Sequence, residues 1–162
     1  MLVTMKHRLY LLVLGALLPS SVALAATTGS ITLGGTVAST LEVTSVSTAG
    51  SALLDLTPGD HIAKVADIEM STNNAQGLTL TASSGSLTHT GGADITFQVT
   101  SVTDAATAPI AADFAIASGA NYTVGTTVAG ADNNDLYILY TPSGTQDPGA
   151  YAGLITLTVI DN

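Results

Sequence analysis

The clearest pattern in the chain is an alternation of apolar and polar residues near its beginning. Over residues 31–43 one parity is mainly apolar, and mostly small or polar residues lie between. The positions of the apolar parity are Ile31, Leu33, Gly35, Val37, Ser39, Leu41 and Val43. A period of two is typical of a strand with one buried face. Because strands usually have about five or six residues, a break near residues 38–40 is expected, which separates an N-terminal extension (26–38) from a domain (39–162).

A second alternation lies at the other end of the chain, after a turn. Pro148 fixes its own φ and Gly149 accepts a positive φ, so the segment from Asp147 begins with a turn. Beyond Gly153 the pattern predicts a strand. One face of this strand is formed by Ile155, Leu157 and Val159, and the other by Thr156, Thr158 and Ile160. The order Asp147-x-Gly149-x-Tyr151 resembles the tyrosine corner of immunoglobulin-like sandwiches, in which a Tyr hydroxyl bonds to the backbone near the sixth strand.

Short strands and turns alternate through the middle of the chain. Strands are predicted around residues 53–56, 62–70, 78–82, 95–100, 122–128 and 136–141, and turns around 57–60, 71–77, 91–92 and 131–135. Ala66, Ile68 and Met70 are expected to face the core. Residues 104–117, rich in alanine, form either one helical turn or a loop that crosses between sheets. The fold class predicted is all-β, an immunoglobulin-like sandwich of about seven strands.

The first residues have the composition of a secretory signal peptide. Lys6, His7 and Arg8 form a basic start, and an apolar run at 9–18 precedes a small-x-small cleavage pattern at 23–25. The apolar run is too short to span a bilayer as a helix. Residues 1–25 are therefore expected to be removed during secretion, and no membrane insertion is expected.

The chain expected after cleavage is strongly acidic and lacks cysteine. It retains twelve acidic residues and one basic residue, Lys64, which gives a formal charge of −11. Such a surface repels nucleic acid and anionic lipid, so neither is an expected partner. Without cysteine the domain has no disulfide, thiol nucleophile or thiolate metal site. Burial and backbone pairing alone must hold it together.

No residue pattern indicates catalysis. His61 and His89 lie in polar, turn-like settings, and although a Ser–His pair stays open, no nucleophile-elbow motif accompanies either residue. Asp67 and Glu69 are two residues apart in one strand, so they are expected to share its solvent face rather than converge in a cleft. We therefore predict no catalytic residue, no cofactor and no enzyme activity.

Three weaker patterns are compatible with a binding or modification site, but each is equally compatible with a purely structural explanation. Asp132 to Asp135 offer oxygen ligands for calcium, but they lack the spacing of an EF-hand loop and equally suit a turn. Residues 121–123 match a glycosylation sequon, which arises easily by chance. Tyr137, Tyr140 and Tyr151 either form a sugar-binding platform or belong to the core and the tyrosine corner. No metal site is predicted.

The two ends of the chain are complementary. A sandwich that ends after its sixth strand exposes a groove with core side chains on its floor and unpaired backbone groups on its walls. A strand with alternating apolar residues meets both needs. The predicted donor residues are Ile31, Leu33, Gly35 and Val37, and the predicted residues of the acceptor groove and last strand are Gly149, Tyr151, Ile155, Leu157 and Val159. Donation to the next copy is head-to-tail and gives a filament.

Both ends resemble those of pilin subunits of the chaperone–usher pathway, and most of all the cysteine-free alpha-type major pilins. The similar segments are residues 31–37, ITLGGTV, and 149–159, GAYAGLITLTV. Gly149 is fourteenth from the end, as a glycine is in many pilins, whereas Asp161 stands where those pilins have a penultimate aromatic residue. The resemblance implies an incomplete immunoglobulin-like fold, a periplasmic chaperone that lends a strand, an outer-membrane usher, and donor-strand exchange with residues 31–37 of the next subunit.

The function expected from this resemblance is that of a structural fimbrial subunit that supports adhesion. Such a subunit passes through the periplasm and reaches the cell surface as a homopolymer. The alternative is a monomeric secreted module of the same fold, whose extension folds back in cis and which binds carbohydrate or protein. A strand donated in cis or in trans has the same sequence pattern, so both readings remain open.

Overall fold

The computed structural model describes residues 28–162 of the chain. The signal peptide expected at 1–25 lies outside the described residues. The chain divides into two units, with the boundary between Thr36 and Val37. Residues 28–36 have no regular secondary structure and their side chains are exposed.

The second unit, Val37–Asn162, contains eight strands and two short helical segments. The strands are β1 (Leu41–Ser47), β2 (His61–Thr72), β3 (Leu78–Ala82), β4 (Gly85–Leu87), β5 (Ile95–Thr103), β6 (Tyr122–Gly125), β7 (Gly130–Tyr140) and β8 (Leu157–Asp161). The α-helix α1 spans Ala49–Ala52, and a 3₁₀ turn spans Ala111–Asp113. The predicted all-β fold class is confirmed.

The strands form two antiparallel sheets packed as a sandwich. One sheet has the order β1-β2-β7-β5-β4, and the other has the order β6-β3-β8. Both sheets contribute apolar side chains to one core, which consists of Val65, Ala66, Ile68, Met70, Leu78, Leu80, Ala82, Leu87, Ile95, Phe97, Val99, Leu136, Ile138 and Tyr140. The period of two in β2, β3 and β5 predicted these faces correctly, because alternate side chains of a strand point to opposite sides of its sheet.

The turn predicted at residues 131–135 is wrong. These residues belong to β7, the central strand that pairs with both β2 and β5. Asp135 lies opposite Asp67 of β2 and Val102 of β5, and both Asn134 and Asp135 are buried. Asx residues prefer turns locally, but pairing with β2 along the whole stretch, and with β5 from Asn134 onward, outweighs that preference.

The strand predicted at residues 53–56 is also wrong. The chain there leaves the sheet through α1, whose start is fixed by a hydrogen bond from the Thr48 N–H to the Val65 carbonyl at 3.0 Å. The register of β2 shifts between Lys64 and Ala66, so both Val65 and Ala66 are buried. The open choice at residues 104–117 resolves into a loop that contains one 3₁₀ turn.

Gly77 lies in the turn between β2 and β3, and substituting it measures how much the packing of this turn contributes to stability. Its φ is +82°, and a Cβ atom there would overlap the Thr126 carbonyl. Gly91 has a similar φ of +85°, but its Cβ position is open. We expect Gly91→Ala to lower the free energy of unfolding by about 1 kcal/mol through backbone strain alone. Gly77→Ala should lower it by about 2–4 kcal/mol, because overpacking is added. Urea unfolding of both variants measures the difference, and equal effects would contradict the overlap.

Candidate functional site

The candidate site is a cleft between β1 and β8. Each strand is the last of its sheet: β1 pairs only with β2, and β8 pairs only with β3 among the described residues. No backbone hydrogen bond joins the two strands within residues 28–162. The sandwich is therefore open along this side, between the facing edges of two different sheets.

The cleft has a volume of about 290 Å³ and an apolar floor. The floor residues come from the core strands and are Val65, Ala66, Leu87, Phe97, Leu136 and Ile138. One wall comes from β1 and the segment around α1, with Ser45, Ser47, Ser51 and Leu54. The other wall comes from the segment that leads into β8, with Gly153, Leu154, Ile155 and Leu157. An apolar floor without a charged residue suits an apolar occupant.

The β8 wall presents backbone donors and acceptors to the cleft. The Thr156 carbonyl accepts a hydrogen bond from the Ser83 N–H at 3.0 Å, so the backbone of Thr156 points away from the cleft. In an antiparallel ladder, successive residues direct their backbone groups to opposite sides. The N–H and C=O groups of Ile155, Leu157 and Val159 consequently point toward the cleft, while their side chains pack against the core.

The β1 wall has the same arrangement. Thr48 donates its N–H to β2 at 3.0 Å, so residues of the opposite parity turn their backbone groups away from β2. Ser45 and Ser47 have that parity and line the cleft. In the part of the gap that Ser45, Ser47, Ile155 and Leu157 line, a strand would therefore find backbone partners on both sides and an apolar floor beneath it, which is the geometry of β-strand addition.

The structure places the predicted site residues in different surroundings. The donor side chains of Ile31, Leu33 and Val37 are 87%, 89% and 91% exposed, and Gly35 has open space around it. Ile155 and Leu157 line the cleft, and Val159 packs against the core from β8. Gly149 and Tyr151 precede the cleft wall and do not line it.

Gly149 and Tyr151 instead fix the approach to β8. The Tyr151 hydroxyl donates a hydrogen bond to the Asp147 carbonyl at 3.2 Å, which is the bond expected of a tyrosine corner. The Tyr151 ring stacks on His89 with 4.9 Å between centroids. Gly149 has a φ of +150°, and a Cβ atom there would overlap the His89 ring. This packing explains the glycine and sets where the β8 wall begins.

Several cleft residues were not identified from the sequence. Ser45 and Ser47 continue the parity of Leu41 and Val43, but as small polar residues they gave no apolar signal. Leu87 lies in β4, a strand of only three residues, which is too short for a period to be recognised. Their common role depends on which strands lie beside one another, and periodicity does not contain that information.

The two histidines, His61 and His89, contact backbone or aromatic groups. His61 contacts the Thr57 carbonyl through Nε2 at 2.8 Å and stacks on Tyr140 with 5.5 Å between centroids. Within residues 28–162 no serine hydroxyl bonds to His61 or His89. Tyr140 belongs to the core and Tyr137 is buried on the opposite face of β7, so neither has the exposure that a sugar-binding platform requires.

An acidic cluster lies on the outer face of the five-stranded sheet. The carboxylates of Asp67, Asp104 and Asp135 lie within 4.8 Å of one another. The Lys64 ammonium lies between two of them, 2.7 Å from Asp67 Oδ1 and 2.7 Å from Asp135 Oδ1. Hydrogen bonds to Asp135 and then to Asp67 raise the pKa of Lys64. Asp132 accepts a hydrogen bond from the Asn134 amide at 2.9 Å, and it is not one of the three carboxylates of this cluster.

The described residues contain no helix that is both long enough and apolar enough to cross a membrane. Comparisons of the chain with protein-family models, with curated protein sequences and with solved structures found no match. The geometry of the cleft is consequently the basis on which a function is proposed.

Lys64 should be important for stability because the side chain of Asp135 is only 4% exposed. Lys64→Met leaves this buried carboxylate without its cation, so we expect a lower urea midpoint of unfolding. The double variant Lys64→Met/Asp135→Asn should recover much of the loss, because an amide needs no counter-ion. Equal midpoints for the single and double variants would show that the ion pair is unimportant.

Asp161, the last residue of β8, predicts a pH dependence. Its carboxylate accepts hydrogen bonds from the Ser39 hydroxyl at 2.6 Å and the Thr72 hydroxyl at 2.5 Å, and these bonds lower the pKa of Asp161. A lowered pKa stabilises the fold above the ordinary Asp value of about 3.9, and this contribution is lost as the pH falls through the folded value. The stability difference between wild type and Asp161→Asn should therefore shrink from pH 7 to pH 3. Urea midpoints that differ equally at both pH values would contradict this.

Proposed function

We propose that the chain is a structural subunit of an extracellular fibre, in which the N-terminal extension of one copy occupies the cleft of the next. The observation that carries the proposal is the apolar cleft between two strand edges that are both unpaired among the described residues. Unpaired edges beside core side chains are costly in water. A strand supplied by another copy removes both costs at once.

The extension has the side-chain pattern that the cleft requires. Its apolar residues share one parity, so all of them would face the floor while the backbone bonds to both walls. Ile31, Leu33 and Val37 are exposed in the described structure, and burying them would contribute on the order of 5–9 kcal/mol. Gly35 offers the least bulk, which suits a narrow part of the cleft.

The same geometry supports a role for assembly partners. A subunit with an open cleft needs a strand before it meets another copy, and a periplasmic chaperone that lends one would satisfy this need. An outer-membrane usher would then exchange that strand for the extension of the next subunit at the cell surface. These partners follow from the resemblance to chaperone–usher pilins, and the cleft is the site at which the chaperone strand and the donor strand would alternate.

The alternative occupant of the cleft is the chain's own extension. In that arrangement the protein is a monomeric secreted module, and the cleft is closed without a second copy. The two arrangements predict different assembly states of the protein. Only the fibre gives a ladder of oligomers when material sheared from the cell surface is run on a gel without boiling.

Leu33→Asp should abolish polymerisation, because it would place a carboxylate against a floor that offers no cation, at a cost of several kcal/mol. Thr32→Asp is the matched control: it adds the same charge at the adjacent residue, whose side chain points away from the floor. We expect a heat-dissociable ladder for wild type and Thr32→Asp and none for Leu33→Asp. A ladder of wild-type intensity from Leu33→Asp would refute the donor role, and a wild-type protein that gives only monomer would refute the fibre.

A further inference from the structure

The junction between the extension and the domain is held by a side-chain amide. We call residues 38–40 the root. The last residue of β2 lies opposite the first residue of β1, so the next residue, Asn73, lies opposite Thr40 of the root. The Asn73 N–H donates to the Thr40 carbonyl at 3.2 Å, and the Thr40 N–H donates to Asn73 Oδ1 at 3.0 Å. Asn73 Nδ2 donates to the Ala38 carbonyl at 2.8 Å.

In this position the Asn73 amide acts as one more peptide group of β2. Where the backbone of β2 turns away, the Asn73 side chain supplies one acceptor and one donor. The root bonds to these two groups in the way that a longer β1 would bond to the backbone of a neighbouring strand. The β1–β2 ladder is thereby prolonged through the root to Ala38. The root follows the line of β1 and does not form a turn.

A second side chain ties the root to β8. The Asp161 carboxylate accepts the hydroxyl hydrogen bonds of Ser39 in the root and Thr72 at the end of β2. Asp161 thus joins the root and the end of β2 to the end of β8. The sequence singles out this residue as the one that replaces the penultimate aromatic of similar pilins, and the structure shows a specific contact for it.

Folding back of the extension would require a change of conformation at the root. A hairpin at residues 38–40 would place Val37 opposite Leu41 and Leu33 opposite Ser45, so the apolar parity of the extension would still face the floor of the cleft. Such a hairpin satisfies the side-chain pattern. It requires the root to turn, however, and a turn breaks the bonds to Asn73 and Asp161.

We propose that Asn73 and Asp161 are positioning residues that hold the root in line with β1, and so favour donation of the extension to another copy over folding back into the same subunit. This inference rests on the proposed fibre function and adds the device that selects trans over cis. The selectivity comes from the root, because the side-chain pattern of the extension is equally suited to both.

The test refolds the full mature chain from denaturant at low protein concentration, where folding back competes with polymerisation. Size-exclusion chromatography with light scattering gives the ratio of folded monomer to polymer. Protease protection of residues 28–37, read by mass spectrometry, shows whether the monomer has folded back. Asn73→Ala removes two side-chain bonds to the root, and we expect the ratio to rise about tenfold. Asn121→Ala, at an exposed position, is the matched control and should leave the ratio unchanged.

Ser39→Ala is the milder variant, which removes one bond without changing β2 or β8, and it should raise the ratio in the same direction by a smaller factor. If residues 28–37 are protected from protease in the additional monomer that these variants form, the inference is supported. An unchanged ratio in Asn73→Ala and Ser39→Ala, beside a wild type that polymerises, would overturn the inference and leave the fibre function standing. A wild type found only as a monomer with a protected extension would overturn both.

Discussion

The structure depends on one constraint: two strand edges face each other across the core without bonding to one another. The β1 edge belongs to the five-stranded sheet, and the β8 edge belongs to the three-stranded sheet. Leu87 and Phe97 lie beneath the gap between them. Each unpaired backbone group and each apolar side chain in this gap would favour the arrival of a strand, so the incomplete contact between the two sheets is the proposed binding site.

The rest of the domain keeps this gap in place. The register shift in β2 at Lys64 and the bond from Thr48 to Val65 carry the chain into α1 and away from the sheet, which leaves the end of β1 uncovered. On the other side, the Tyr151 corner and its packing on His89 direct the chain toward β8 along the opposite wall. The two walls are thus positioned by local contacts that do not themselves enter the cleft.

Charge contributes in a different way. The domain has a single basic residue, Lys64, and it is paired with Asp67 and Asp135. Among residues 28–162, no charged side chain lines the cleft. Recognition of a strand in the cleft would therefore depend on burial and backbone bonding, and selection between a cis and a trans strand would depend on the bonds that Asn73 and Asp161 make to the root.

The sequence by itself determined most of the strands and their inward faces, because a period of two needs only neighbouring residues. It identified the inward faces of β2, β3, β5 and β8 and the tyrosine corner at Tyr151. Tertiary structure alone decided which edges stay unpaired, since strand order depends on contacts between residues far apart in the chain. It also decided the state of Asp132–Asp135, where strand pairing overrides a local turn preference, and the contacts that Asn73 and Asp161 make with the root. A polar side chain near a strand end has the same local pattern whether it faces water or holds another segment, and only the fold brings the root within its reach.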